Sequence, residues 1–194
     1  MSTQEPGNPA ANLPREIRTD RLLLRRWTAA DREPFAALNT DPRVIEFLSQ
    51  PLIRAESDAI IDRIEKHFDQ HGFGYWAVEV PGVAAFIGTV GLAVPRFTAH
   101  FTPCIEVGWR LAADYWHRGY ATEAAQAALD FGFNQLGLAE IVAFTVPANH
   151  RSQHVMQRLG MQHDAAGDFD HPFLPDGHWL RRHMLYRKRR NAHQ

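Results

Sequence analysis

Residues 105–133 read IEVGWRLAADYWHRGYATEAAQAALDFGF, and the hydrophobic period changes half-way along this stretch. Ile105, Val107, Trp109 and Leu111 alternate with Glu106, Gly108 and Arg110, the two-residue period of a half-buried strand. After Tyr120 the period lengthens. Ala121, Ala125, Ala128 and Gly132 recur at helical spacing beside a bulkier stripe of Leu129, Phe133 and Leu136. One face of this helix is made of small residues, as close packing on a sheet requires. The turn between strand and helix has a second reading. Gly119 permits a tight backbone bend, and the amides from His117 to Thr122 fall at the helix start, where N–H groups lack intrahelical partners and point outward. An anion is the natural guest there. The loop lacks the Lys and Ser/Thr of an ATP-binding P-loop and the three glycines of a dinucleotide fingerprint, so the expected guest is a diphosphate held without catalytic magnesium.

Outward from this unit, RLLLRRW (21–27) has the make-up of a strand, and Thr28 with Asp31 predicts a capped helix through Leu38. DPRVIEFL (41–48) reads as a short helical turn. Ile60, Ile61, Ile64 and Phe68 predict a longer helix that Gly72 stops. YWAVEV and AAFIGTVGLAV flank PGV as a hairpin, EIVAFTV (140–146) is a strand covered on both faces, and NHRSQHVMQRLGM is a helix with Asn149 as cap and Gly160 as stop. WLRRHMLYRK supplies a closing strand after an unpatterned segment, 164–178. The sum is a mixed α/β domain, not a doubly wound nucleotide fold.

The chain has 194 residues, 45% of them hydrophobic, enough for one core. The expected organisation is a flexible leader at 1–16, one domain over 17–190 and a flexible tail at 191–194. With 21 Lys plus Arg against 22 Asp plus Glu, no net field draws the molecule to nucleic acid or to an anionic membrane. The RKRR run (187–190) reads as a solvated end. The leader has no apolar stretch of a signal peptide. A lone Cys104 excludes an internal disulfide and fits a reducing, cytoplasmic setting. His67 with His71, and His150 with His154, stand four apart on predicted helices, but two ligands do not make a metal site, so no metal is expected.

Taken with VPANHRSQHVMQRLGM (146–161), the opening stretch resembles the GCN5-related N-acetyltransferase (GNAT) superfamily, in the branch of ribosomal-protein alanine acetyltransferases, over roughly residues 19–187. The resemblance implies a central, mostly antiparallel twisted sheet flanked by helices and splayed between its fourth and fifth strands. It implies direct transfer of acetyl from acetyl-CoA to an amine. The phosphate loop falls on Trp116, His117, Arg118, Gly119, Tyr120 and Ala121, with Thr122 following. Trp116 departs from the family's Gln or Arg, and His117 from the glycine common in this branch; main-chain donors are indifferent to both changes. The coenzyme arm is expected to pair along Val107, Gly108, Trp109 and Leu111, with Gly108 as a bulge that opens the sheet and frees an amide for the oxyanion.

An alkyl amine is protonated at neutral pH and needs a base. Glu106, on the transfer strand, is the candidate, acting through water or directly. Ser152 matches the family's proton donor to the departing thiolate, and its helical spacing to Val155, Met156 and Leu159 aims it inward. Asn149 matches a position that contacts the coenzyme arm. Each has a plainer reading: solvent-facing glutamate, local serine, N-cap asparagine. Cys104 lacks recognisable partners for a covalent mechanism. The acceptor pocket is assigned to residues 39–52, 96–103 and 164–178, with Trp27, Trp76 and Phe97 as candidate walls. A non-catalytic acyl-CoA-binding regulator would keep the Gly119 turn and dispense with Glu106 and Ser152; an RNA-binding module would use RKRR. A homodimer is an arrangement the branch allows.

Overall fold

The structure, a computed structural model, describes residues 13–48 and 50–190; most of the expected leader (1–12) and the tail 191–194 lie outside them. Its strands are β1 Ile17–Arg18, β2 Leu23–Arg25, β3 Tyr75–Val80, β4 Ala84–Ala93, β5 Glu106–Leu111, β6 Glu140–Thr145, β7 Gln162–His163, β8 Phe169–Asp170 and β9 Arg182–Arg189. Its helices are α1 Arg32–Leu38, α2 Pro42–Ile45, α3 Arg54–His71, α4 Tyr120–Asn134 and α5 His150–Arg158. The sheet runs β1-β2-β3-β4-β5-β6-β9-β7, with β8 on the end of β9. Every pairing is antiparallel except β5 with β6.

The splay is where it was expected, renumbered by one because Ile17–Arg18 forms a strand that short-range pattern did not show. β5 and β6 share a single bridge, Glu106 with Val142. Beyond it, among the described residues, β5 has no strand on its β6 side. Gly108 is not a bulge: the β4–β5 register is unbroken from Gly88–Leu111 to Ala93–Glu106. The sheet opens because β6 diverges after one pair.

The small face of α4 is buried, with Ala124, Ala125 and Ala128 at 0% exposure. A Cβ on Gly132 would lie 2.6 Å from Ile141 Cδ1 on β6 and 3.0 Å from Leu92 Cδ1 on β4, so α4 bridges the opening from below. Trp76 packs edge-on against Phe131 of α4, and Ala77, on the opposite face of β3, joins Trp27, Phe35, Leu38 and Ile61. Trp76 and Trp27 are therefore core residues and not walls of an acceptor pocket; the Trp27 indole N–H donates to Tyr75 O at 2.7 Å. Leu13, within the expected leader, packs on the main core. The RKRR run continues β9, and Arg187 and Arg189 both pair with Glu140. Among the described residues no helix is long and apolar enough to cross a membrane.

Candidate active site

Two cavities meet at β5. The first, about 410 Å³, opens on the β6 side and is lined by Val107 to Leu111, by His117 and Gly119 to Thr122, and by Asn149 and Ser152. The second, about 480 Å³, includes Tyr75, Arg96, Phe97, Glu106 and His171. Gly108, Trp109, Arg110 and Phe144 border both. The two candidate catalytic side chains are thus not neighbours in one pocket. Ser152 lines the first and Glu106 the second, with β5 between them. Val44, Phe47 and Leu48, from a segment expected on the acceptor side, line the first cavity.

The turn into α4 is shaped for an anion. Gly119 precedes the helix at φ 81°, His117 is also left-handed at φ 60°, and the first intrahelical bond runs from Glu123 N to Gly119 O. The amides of Tyr120, Ala121 and Thr122 are left without intrahelical acceptors. Arg21 braces the loop by donating to Arg118 O at 3.0 Å and to Glu123 Oε2 at 2.7 Å, while Thr19 donates to Glu123 Oε1 at 2.6 Å. Burial pushes the Glu123 carboxyl up, but hydrogen bonds from Thr19 and Arg21 hold it below the usual range. Arg118 itself does not line the cavity; its guanidinium sits over the Tyr115 ring. Trp116 anchors the loop to β5 through an indole N–H bond to Leu111 O at 2.8 Å, and the Arg151 guanidinium sits over its ring. Arg158 adds positive charge to the same cleft, and Arg151, paired with Glu46, lines it as well. Unpaired β5 backbone, free helix-start amides and basic side chains together fit a long phosphorylated carrier.

At the start of α5, Asn149 caps the helix by accepting from Ser152 N at 3.2 Å. Its amide nitrogen donates to both Thr145 Oγ1 and Ser152 Oγ at 3.0 Å. The serine oxygen accepts one bond, and its own proton remains available to the cleft.

Glu106 is half-buried, and loss of hydration raises its carboxyl to about 7, partly opposed by a 3.0 Å hydrogen bond from the Tyr75 hydroxyl. Tyr75 was not singled out from sequence. It reaches Glu106 because Tyr75, Gly91 and Gly108 lie in one lateral row across β3, β4 and β5. A Cβ on Gly108 would be 2.5 Å from the Tyr75 hydroxyl, and one on Gly91 2.5 Å from Tyr75 Cα. Gly108 thus serves side-chain access, not a bulge. Phe97 does line the second cavity, stacked with Phe169 at 5.7 Å. Burial and the Glu106 charge push the Cys104 thiol up to about 11, which keeps it protonated and a poor nucleophile. His67 has both ring nitrogens engaged, Nδ1 with Phe73 O at 2.7 Å and Nε2 with Val94 N at 3.2 Å. Among the described residues no cluster of three or more His, Cys, Asp or Glu stands where it could hold a metal.

Comparison with known proteins identifies the family and the fold. The acetyltransferase (GNAT) domain model matches residues 21–162. The uncharacterized N-acetyltransferase YnaD of Bacillus subtilis is 30% identical over 152 residues, which span 76% of this chain and 83% of that protein. An acetyltransferase from Agrobacterium tumefaciens superposes with a TM-score of 0.73 at 26% identity, covering 92% of this chain and 96% of its own. The ribosomal-protein-S5-alanine acetyltransferase of Vibrio fischeri shares the fold, with a TM-score of 0.70 at 18% identity over 91% of this chain and 97% of its own. The chain belongs to the acetyltransferase (GNAT) domain family and is an N-acetyltransferase that uses acetyl-CoA as cosubstrate.

Proposed function

We propose that β5 is the wall across which acetyl passes, with the carrier entering from the Ser152 side and the amine from the Glu106 side. The observation that carries this reading is the pair of cavities that share Gly108, Trp109 and Arg110 on an otherwise unpaired strand edge. Main-chain groups of Val107 to Leu111 orient the carrier's arm, and the amides of residues 117–122 hold its diphosphate. Glu106, with a carboxyl near 7, takes the proton of the acceptor ammonium, directly or through water, and so exposes the lone pair that attacks the thioester carbonyl. As the carbon–sulfur bond breaks, the Ser152 hydroxyl delivers a proton to the leaving sulfur and is restored by the proton that the attacking nitrogen sheds as it becomes the amide. Asn149 positions Ser152 rather than touching the reaction, since its amide is engaged by Thr145 and Ser152.

This arrangement supports an enzyme over a carrier-binding regulator, because a binder has no use for a carboxyl tuned to neutrality inside a second cavity. We place the enzyme in the cytoplasm, where a lone thiol stays reduced, and take it to act as a homodimer, which gel filtration at working concentration tests. The central experiment follows free CoA thiol with a panel of primary amines. Amine-dependent release that Glu106→Gln abolishes is the expected result; absence of any affinity for acetyl-CoA overturns the proposal.

A further inference from the structure

The acceptor-side cavity, like the carrier side, has an excess of positive charge. Three arginines line it, Arg63, Arg96 and Arg110, against a single carboxylate, Glu106. Many arginines elsewhere are matched, among them Arg25 to Asp31 and Glu79, Arg26 to Glu65, Arg32 to Asp62 and Arg187 to Glu140, while among the described residues Arg118 and Arg158 at the carrier side are not. Among the described residues none of the three cavity arginines has an ion-pair partner. His67 and His171 add no charge at neutral pH, since burial pushes both below the usual histidine range.

Arg110 is the telling member. It is half-buried, shares the Glu106 face of β5, and spends one N–H on Asn39 Oδ1 at 2.5 Å. Asn39 is fully buried and locked by its own bond to Ser57 Oγ at 2.9 Å. A neutral amide therefore aims the guanidinium without neutralising it, and most of its five donors keep no protein partner among the described residues. Withdrawing a cation from water without a counter-ion is costly. A ligand anion is the group that offsets that cost, and a planar fork of donors fits a carboxylate in two-point contact. The same charge disfavours a polycationic amine.

Resting on the acetyl transfer proposed above, we infer that the acceptor is a free amino acid or close analogue, its carboxylate on Arg110 and its amine toward Glu106. Phe35, Phe97 and Phe144 supply the apolar part of the cavity and suit an apolar side chain. A carboxylate could instead come from the first side chain of a peptide, so the test includes that source.

The test measures kcat/KM by CoA thiol release for the standard amino acids, each beside its carboxamide, with spermidine and an aspartate-headed tripeptide alongside. The carboxamide's amine is the easier to deprotonate, so a preference for the acid does not arise from amine basicity. The expected result is roughly a 10- to 100-fold preference for the best amino acid over its carboxamide. Arg110→Gln collapses that ratio toward one, Arg110→Lys restores part of it, and the KM for acetyl-CoA stays put. Arg96 is exposed, so Arg96→Gln should fold regardless, and it lowers the ratio by a smaller factor, about 3-fold. Faster turnover of carboxamides, spermidine or the tripeptide overturns the inference and leaves the transferase reading intact. A raised acetyl-CoA KM in Arg110→Gln with an unchanged ratio also overturns it, by assigning Arg110 to the carrier. Thiol release with no amine at all would sink the underlying reading as well.

Discussion

Glu106 is held at odds with the stability of the fold, and that tension is measurable. Its folded carboxyl sits near 7, above the ordinary value of about 4.3. An acid whose pKa rises on folding stabilises the native state less as pH climbs, so the loss accrues between about 4.3 and about 7. Glu106→Gln should therefore raise stability at pH 8, on the order of 2 kcal/mol by thermal melt, while lowering kcat about 100-fold or more with acetyl-CoA affinity unchanged. Tyr75 donates to the carboxylate form and thereby holds the pKa down. Tyr75→Phe should move the acidic limb of kcat/KM to higher pH; a limb that moves down would show that Glu106 is not the group titrating. Ser152→Ala should cut single-turnover rate about 10-fold with little change in carrier binding, a split that calorimetry beside rapid quench resolves. Alternation along the strand, read with the family resemblance that makes it the transfer strand, singled out Glu106 as a candidate. Tyr75 was out of reach, because its contact depends on two glycines on neighbouring strands coming into register.

The loop and helix from Ala112 to Asn134 act as one element. A side chain at Gly119 must adopt φ 81°, and its Cβ would lie 3.3 Å from Arg21 Nη2, in a brace that holds both Arg118 O and Glu123. Gly119→Asp adds like charge at the proposed diphosphate site. It should weaken acetyl-CoA by at least about 10-fold in calorimetry, at a folding cost of about 1–2 kcal/mol; unchanged affinity would relocate the carrier. Farther along, Gly132→Leu pushes a side chain into Ile141 and Leu92 and should destabilise by about 1–3 kcal/mol in urea titration. Helical spacing already marked this face as small. It could not show that the face is narrow because α4 spans two diverging strands.

Across the whole molecule, charge is spent in two ways. Arg25 joins β2, β3 and the start of α1 by bonding Asp31, Glu79 and the Ala85 carbonyl, a network with only 13% and 3% of the Arg25 and Asp31 side chains exposed. Burial pushes the Asp31 carboxyl up, but bonds from Arg25 and Thr28 hold it below the usual range. Its stabilisation is therefore present above about pH 4 and is lost on acidification. Asp31→Ala strands part of a buried cation and should cost about 3 kcal/mol at pH 7, read as a lowered Tm. The cavity arginines are the opposite case: among the described residues they have no ion-pair partner, which is the basis of the proposed carboxylate site. Sequence alone showed the main strands and helices and the glycine turn before α4, because those are written in spacings of two to four residues that backbone geometry converts directly into faces and caps; Glu106 and Ser152 became candidates only when those spacings were read with the family resemblance. Only the tertiary structure decided that the two side chains face different cavities across β5, that Gly108 clears a path for Tyr75, and that Arg110 is aimed by Asn39 and left without a counter-ion. Those contacts join residues 31 and 71 positions apart, and no local period encodes which strands will lie side by side.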